Sequence, residues 1–212
     1  MFQGALFTKD FLEEGIRDTE AWNAVDDAAL TTFKTTLIDI FKAFPTAEKP
    51  NESTTENDLI FPVLKALDWE HFLTQITASK KGRSDVPDAL LFESADTKTK
   101  ANEEPQSAKK FMHGLVVAEN KAWQIPLDRK GKKGDDYDLV DLAQSAPSTQ
   151  ILRYLTVSEI HSERRILWGM LTNGRNWRLY YQKAKSRSED FLDIDLPYIL
   201  GVEGIGDDLL AL

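Results

Sequence analysis

Two acidic residues interrupt apolar segments of the sequence and are the first candidates for chemistry. Asp88 lies within VPDALL, and Glu119 ends the run LVVAE. An ionised carboxylate on a half-buried strand is unfavourable unless a cation or a hydrogen-bond donor pairs with it. Adjacent strands can hold two carboxylates a few ångströms apart, and carboxylate oxygens are ligands that Mg²⁺ prefers. Asp88 and Glu119 therefore predict a shared magnesium site.

A lysine follows the second acid in the tripeptide Glu-Asn-Lys. Because side chains alternate along a strand, Glu119 and Lys121 are expected to point to the same face. An ammonium group there can orient or help to deprotonate an attacking water, and it can contact a scissile phosphate. Together with Mg²⁺, which stabilises charge on phosphoryl oxygens, these residues suit the hydrolysis of a phosphodiester.

Two similar tripeptides compete with this interpretation. Asp96-Thr97-Lys98 and Asp128-Arg129-Lys130 also place an acid two residues before a lysine. Both lie in polar segments that offer no rigid strand. An acid-x-Lys tripeptide alone is a weak signal, since roughly one is expected by chance in a chain of this length. The combination with Asp88 on the preceding strand favours Glu119 and Lys121.

The first elements that must position these residues are helices. Apolar residues recur at three- and four-residue steps over 19–44, which predicts one long helix that ends at Pro45. The polar run TAEKPNESTT is then a linker. Ser53 or Thr54 is expected to cap a second helix, and Pro62 is expected to bend that helix or to mark a later start.

After the second helix the periodicity changes to that of strands. Strands are predicted over 72–79, 86–92, 114–122, 166–172, 176–182 and 191–196. Polar loops are predicted over 95–110 and 128–138, a helix over 147–159, and a hairpin turn at Asn173-Gly174. The predicted fold class is α/β (α+β), with a mixed central sheet flanked by α-helices and an N-terminal helical extension.

Composition limits the remaining classes of protein. The 212-residue chain has no cysteine, which excludes disulfides, thiolate zinc sites and cysteine nucleophiles and fits a reducing cytosol. Its three histidines lack the spacing of a zinc site. No segment resembles a signal peptide or reaches membrane-spanning length. We therefore expect a cytoplasmic protein that does not enter a membrane.

The net charge of −9 argues against nucleic acid as a partner, because indiscriminate DNA binders are usually basic. The basic residues are clustered, however, so an acidic average can coexist with a basic face. Residues expected to contact a phosphate backbone are Lys80, Lys81, Arg83 and Ser84 before Asp88, and Lys130, Lys132 and Lys133 after the third strand. Other domains of a longer protein can supply the rest of the DNA affinity.

The pair Pro87-Asp88 and Glu119-Asn120-Lys121 resembles the motif of the PD-(D/E)XK nuclease superfamily. Many of its members carry a further acid on a preceding helix, and Glu56 is the best match, with Glu52 or Asp58 as alternatives. Gln150 and Tyr154 resemble the QxxxY motif of the Mrr-like subgroup. The segment LTNGRNWRLYY is similar to a strand pair of type I and type IIG-like restriction-modification enzymes.

This resemblance implies a restriction-endonuclease-like fold in three parts: a helical extension (1–50) packed on the nuclease, a nuclease domain (51–200), and a connector or C-terminal tail (201–212). It implies Mg²⁺, with Mn²⁺ as a substitute, bound by Asp88, Glu119 and Glu56, with Lys121, Gln150 and Tyr154 as further catalytic residues. The implied activity is endonucleolytic cleavage in restriction-modification or phage defence.

The implied partners are double-stranded DNA, covalently linked methyltransferase and target-recognition domains, and a second copy of the chain when cleavage requires dimerisation. Two alternatives stay open. One is a catalytically inactive nuclease-fold module for DNA binding or assembly. The other is a repair or RNA nuclease of the same superfamily, since these enzymes share the motif.

Overall fold

The computed structural model describes residues 2–77, 86–123, 125–128 and 146–202. Its strands are β1 (Phe2–Gln3), β2 (Phe72–Thr74), β3 (Ala89–Leu91), β4 (Val116–Asn120), β5 (Trp168–Thr172), β6 (Asn176–Tyr181) and β7 (Phe191–Asp195). Its α-helices are α1 (Lys9–Glu13), α2 (Glu20–Asn23), α3 (Asp27–Ala43), α4 (Glu52–Thr55), α5 (Phe61–Ala66), α6 (Ala95–Glu103), α7 (Pro147–His161) and α8 (Leu196–Leu200). A π-helical segment (Glu56–Ile60) joins α4 to α5, and 3₁₀ turns cover Gly15–Asp18, Thr46–Glu48 and Ser107–His113.

The strands form one seven-stranded sheet in the order β1-β7-β6-β5-β4-β3-β2. Strands β4 and β5 run parallel, and the other neighbouring strands pair antiparallel. A parallel pair needs a crossover connection, and α7 supplies it between β4 and β5. The fold is therefore mixed α/β with helices flanking a largely antiparallel sheet, which confirms the predicted class at this level.

Helices cover both faces of the sheet, and β4 contributes to both cores. Ala118 packs with Leu59 of the π segment and Phe41 of α3, on what we call the α3/α5 face. Val117 packs with Ile151 of α7 on the opposite α7 face. Side chains of successive strand residues alternate between faces, so a strand covered on both sides is apolar throughout. This explains the continuous run before Glu119.

The helical run from α4 to α5 begins earlier than predicted and contains the proline. Asn51, rather than Ser53 or Thr54, is the N-cap: its side chain accepts from the Thr54 N–H at 2.9 Å. Pro62 has no N–H to donate to the carbonyl of Asp58. The π segment lies just before Pro62. There the Phe61 N–H donates to the carbonyl of Glu56, five residues earlier, and not to the carbonyl four residues earlier as in an α-helix. The helix thus passes through Pro62.

Two predicted elements are wrong because short polar side chains decide helix starts. The helix predicted over 19–44 is broken: α2 ends at Asn23, and Asp26 caps α3 by accepting from the Ala29 N–H at 2.9 Å. The loop predicted over 95–110 contains α6, for which Ser94 and Thr97 form a capping box. That helix buries only Ala101, so its sequence shows no apolar stripe.

Other elements match the predictions closely. Pro147 opens α7, and the hairpin of β5 and β6 turns at Asn173-Gly174. The strands predicted over 72–79, 86–92 and 114–122 are present but shorter than predicted, as β2, β3 and β4. The two-residue β1, which pairs with β7, was not predicted because two residues carry no readable periodicity. Within the described ranges, no helix combines the length and apolar character needed to cross a membrane.

A buried arginine anchors the segment that follows β4. The Arg178 guanidinium on β6 donates to Asp128 at 2.6 and 3.0 Å and to Asp193 of β7 at 2.6 and 2.9 Å. The Ser148 N–H at the start of α7 donates to the Leu127 carbonyl at 3.0 Å. Residues 128 and 148 are therefore held close together against the sheet.

Two glycines with positive φ test the contact between the β5–β6 turn and the π segment. Gly174 has φ +84°, and an added Cβ would lie 2.4 Å from Cδ2 of Leu59. Gly201 has φ +69° with open space around it. We expect Gly201→Ala to cost about 1–2 kcal/mol from left-handed strain. Gly174→Ala should cost a further 1–3 kcal/mol, roughly, from overpacking.

Urea unfolding gives the free energy of unfolding of each variant. The backbone strain is common to both, so the difference between the two losses reports the overpacking at Gly174. Equal losses would contradict the close contact between the hairpin turn and the π segment.

Candidate active site

The pairing of β3 with β4 brings the two acids of the motif together. Ala89 pairs with Ala118 in an antiparallel register, so extension by one residue sets Asp88 opposite Glu119. Leu90 and Val117, two residues from each acid, both pack on the α7 face. Asp88 and Glu119 therefore project to the same face, at the end of the sheet.

Hydrogen bonds fix both acids. Asp88 Oδ2 accepts from the backbone N–H of Asn120 at 2.7 Å. Glu119 is only 3% exposed, and its Oε1 accepts from Lys121 Nζ at 2.5 Å. The Lys121 N–H continues the sheet ladder by donating to the Thr172 carbonyl at 2.8 Å. The predicted trio of Asp88, Glu119 and Lys121 thus forms one cluster.

The helix on the α3/α5 face contributes two further acids. Glu56 Oε1 accepts from Asn120 Nδ2 at 2.9 Å. Glu52, one helical turn earlier, lies 3.9 Å from Lys121 Nζ through Oε2. The alternative candidate, Asp58, is exposed to solvent. The structure therefore brings Glu56 and Glu52 to the cluster.

Burial and like charges raise the pKa values of three glutamates in this cluster. Burial raises the pKa of Glu119 to about 8, and the charge of Asp88 adds to the rise while Lys121 opposes it. Burial also raises the pKa values of Glu52 and Glu56. For Lys121, burial acts to lower the pKa, but the opposing charge of Glu119 and its hydrogen bond, with Asp88 and Glu52, raise it overall. The lysine is accordingly an ammonium at neutral pH.

One oxygen of the acid pair has no partner. Glu119 Oε2 is buried and receives no hydrogen bond in the described ranges. Asp88 lies within hydrogen-bonding reach of Glu119 and raises its pKa, so the cation-free pair retains a proton whose place a divalent cation would take. A hard cation with two protein carboxylates, its other positions filled by water and phosphate, fits this donor set. The described residues contain no group of three or more His, Asp or Glu arranged to hold a metal ion.

The QxxxY residues of α7 lie on the same side of the sheet. Tyr154 is 9% exposed, and its pKa is raised by burial and then by the charge of Glu119. Gln150, one turn earlier, has a buried Oε1 that accepts no hydrogen bond from any described residue. Tyr154 is therefore close enough to Glu119 for the charge of that residue to affect its pKa. Gln150 has a side-chain carbonyl oxygen that is available as a hydrogen-bond acceptor.

The other predicted residues have different outcomes. Lys80, Lys81, Arg83, Ser84, Lys130, Lys132 and Lys133 lie outside the described residues. The competing tripeptide at Asp96 lies on α6, where Asp96 pairs with Lys100 instead of joining the cluster. Asp128 of the second tripeptide binds Arg178, which lowers the pKa of the aspartate.

The sequence does not predict the hydrogen bonds of Asn120 to Asp88 and Glu56, and it predicts Glu52 only as an alternative to Glu56. A signal existed for both residues. Asn120 is a polar residue on a strand that is buried on both faces, and Glu52 precedes Glu56 by four residues, the spacing of one helix face.

An apolar cavity of about 540 Å³ lies between the helices and the sheet on the α3/α5 face. Its lining includes Phe33, Val63, Met170 and Trp177, and no acid or base. It offers no group for acid–base or metal chemistry, so the acid cluster at the end of the sheet is the candidate active site.

Comparison with known proteins finds no matching family model, no curated protein of significantly similar sequence and no solved structure of significantly similar fold.

The raised pKa of Glu119 predicts that the cation-free protein loses stability as the pH rises. The folded chain keeps this proton up to about pH 8, whereas the unfolded chain releases it near the ordinary value of 4.5. Between these values the folded state binds more protons, so the free energy of unfolding falls with increasing pH. Urea unfolding at a series of pH values across this window measures the slope.

Glu119→Gln is the control, because a neutral amide does not titrate. We expect a shallower fall in this variant, with the remainder coming from Glu52 and Glu56, whose pKa values are also raised. Identical slopes for wild type and variant would show that Glu119 ionises normally in the folded chain.

Proposed function

We propose that this chain is a divalent-cation-dependent endonuclease domain that hydrolyses DNA phosphodiester bonds, of the PD-(D/E)XK type. The observation that carries the proposal is the pairing of Asp88 with Glu119 at a strand end, with Lys121 bound to one oxygen of Glu119 and the other oxygen unpartnered. Two carboxyl groups held together in a core are unfavourable for folding alone, because burial and the neighbouring Asp88 raise the pKa of Glu119. A function that requires a cation explains why they are kept together.

Each residue has a role that follows from its surroundings. Mg²⁺ or Mn²⁺, when bound, neutralises charge on the phosphoryl oxygens and activates a water. Asp88 and Glu119 would hold the cation, and Glu56, which accepts a hydrogen bond from the side chain of Asn120, is the acid proposed as a third ligand. Burial acts to lower the pKa of Lys121 but the neighbouring carboxylates raise it overall, which favours an ammonium that donates to the attacking water or to the phosphate.

The helix α7 supplies the remaining two residues of the proposed site. Gln150 Oε1, which is buried and unpartnered, is suited to accept a hydrogen bond from a cation-bound water. Tyr154 is buried, and the charge of Glu119 adds to the effect of burial in raising its pKa, so we assign this ring to the wall of the site. Both roles place these side chains around the cation without direct participation in bond breaking.

The order of elements supports a restriction-endonuclease-like fold. A helix (α4 to α5) precedes three antiparallel strands (β2, β3 and β4), and α7 then leads to β5, which is parallel to β4. The motif lies on two neighbouring strands of this mixed sheet, which is the arrangement that the family resemblance implies.

The biological setting follows from the same resemblance. The proposed substrate is double-stranded DNA, and the proposed role is cleavage in restriction-modification or phage defence in the cytoplasm. The net charge of −9 favours a module whose DNA affinity comes partly from linked methyltransferase and target-recognition domains, or from dimerisation.

A catalytically inactive module of the same fold is the second candidate. The observation that favours it is the absence, within the described ranges, of three or more clustered metal-ligand residues. In such a module the Lys121–Glu119 ion pair would be structural, and the chain would bind no divalent cation.

Plasmid cleavage by isosteric variants tests the proposed activity. Asp88→Asn, Glu119→Gln and Lys121→Met are each expected to reduce nicking in Mg²⁺ or Mn²⁺ by about 10²-fold or more, because each removes a charge that acts on the transition state. EDTA should abolish cleavage by the wild type. Asp96→Asn, which removes the acid of a similar tripeptide on α6, should cut at the wild-type rate. Wild-type rates in all three site variants would refute the assignment.

Cation binding provides a test that does not require cleavage. Calorimetric titration with Mn²⁺ is expected to show uptake by the wild type and none by the double variant Asp88→Asn/Glu119→Gln. Bound cation should also stabilise the folded chain, by about 2.7 kcal/mol at a hundred times the dissociation constant. Uptake that survives the double substitution would place the cation elsewhere, and no uptake by the wild type would favour the inactive module.

A further inference from the structure

Asn120, the middle residue of the Glu-Asn-Lys motif, bonds to two of the proposed cation ligands at once. Its backbone N–H donates to Asp88 Oδ2 at 2.7 Å, and its side-chain Nδ2 donates to Glu56 Oε1 at 2.9 Å. Glu56 lies on the π segment and Asp88 precedes β3, so a single strand residue links acids from two different elements.

The alternation of strand side chains explains why this residue can reach the helix. Glu119 and Lys121 face α7, whereas Asn120 shares the parity of Ala118, which packs on the α3/α5 face. The helical run that carries Glu56 covers this face, with Leu59 and Ile60 in its core. Asn120 is therefore the motif position that points toward the helical acid.

Fold stability alone does not account for an amide at this position. Asn120 is 0% exposed, and its Oδ1 has no hydrogen-bond partner among the described residues. A buried, unpaired carbonyl oxygen is unfavourable, and an apolar side chain of similar shape would avoid it. The donor directed at Glu56 is the contact that leucine could not provide.

We propose that Asn120 is a positioning residue that fixes the carboxylate of Glu56 beside the strand end that carries Asp88 and Glu119, where it would serve cation binding. The inference rests on the proposed function. Outer hydrogen bonds to a ligating carboxylate fix its rotamer before the metal arrives, and their loss typically weakens metal affinity by about 10–100-fold. Asp88 keeps its bond in any side-chain variant, because that bond comes from the backbone of residue 120.

Asn120→Leu separates a positioning role from a structural one. The variant removes the donor to Glu56 and the unpaired oxygen together. We expect Mn²⁺ affinity, measured by calorimetry, to fall about 10–100-fold. The urea-unfolding stability of the cation-free protein should change little, because the partly exposed Glu56 can be hydrated in place of its bond to Asn120 and the unpaired Oδ1 is removed. A purely structural asparagine predicts the reverse, with stability lost and affinity kept.

Thr172→Val is the matched control. Thr172 lies beside Asn120 in the parallel register, is equally buried, and uses its Oγ1 to accept from the Gly174 N–H at 2.9 Å. The Thr172→Val substitution is the same kind of isosteric change from a polar to an apolar side chain, but it removes no bond to an acid of the site. This variant should lose stability and keep its Mn²⁺ affinity.

A double-mutant cycle with Glu56→Gln identifies the acid through which Asn120 acts. Glu56→Gln should itself weaken Mn²⁺ binding, and Asn120→Leu should then add little, because its target carboxylate is already gone. Fully additive losses would overturn the inference, as would an unchanged Mn²⁺ affinity in Asn120→Leu; both results leave the proposed function in place. If the wild type takes up no Mn²⁺, the proposed function fails and this inference fails with it.

Discussion

Antiparallel pairing of β3 with β4 is the constraint on which the candidate site depends. Its register sets Asp88 opposite Glu119, although each carboxyl group would be more stable in water and farther from the other. Apolar burial on both sides of these strands supplies the stabilisation, because Leu90 and Val117 on one face and Ala89 and Ala118 on the other are fully buried. The acids stay together because separating them would break the core.

The acids of the site outnumber its one lysine, and Lys121 does not return their pKa values to the ordinary range. Lys121 neutralises one oxygen of Glu119, yet the pKa values of Glu119, Glu52 and Glu56 all remain raised. Burial is the largest cause in each case, so the surrounding core that fixes the geometry is also what disfavours the charges. Such local conflict with folding is expected at functional sites, where stability is exchanged for a preorganised arrangement.

The sequence predicts the strands of this site better than its helices. Asp88 and Glu119 are recognisable because they interrupt apolar runs, and Asn173-Gly174 marks its hairpin through a positive-φ glycine. The cap at Asn51 and the helix α6 escape prediction because local side-chain hydrogen bonds, and not apolar periodicity, determine them. The contact of Asn120 with Glu56 joins residues 64 positions apart, and periodicity within one element carries no information about such a pair.

The anchoring of Asp128 and Ser148 has a consequence for the candidate site. Arg178 fixes Asp128 to the sheet, and Ser148 bonds to Leu127 beside it, so the chain departs and returns at nearly one point. Doubling the length of a connection between two fixed points costs only about 0.6 kcal/mol in closure entropy. Neither anchor takes part in the pairing of β3 with β4, so the register that holds the two carboxylates does not depend on the length of chain between positions 128 and 148.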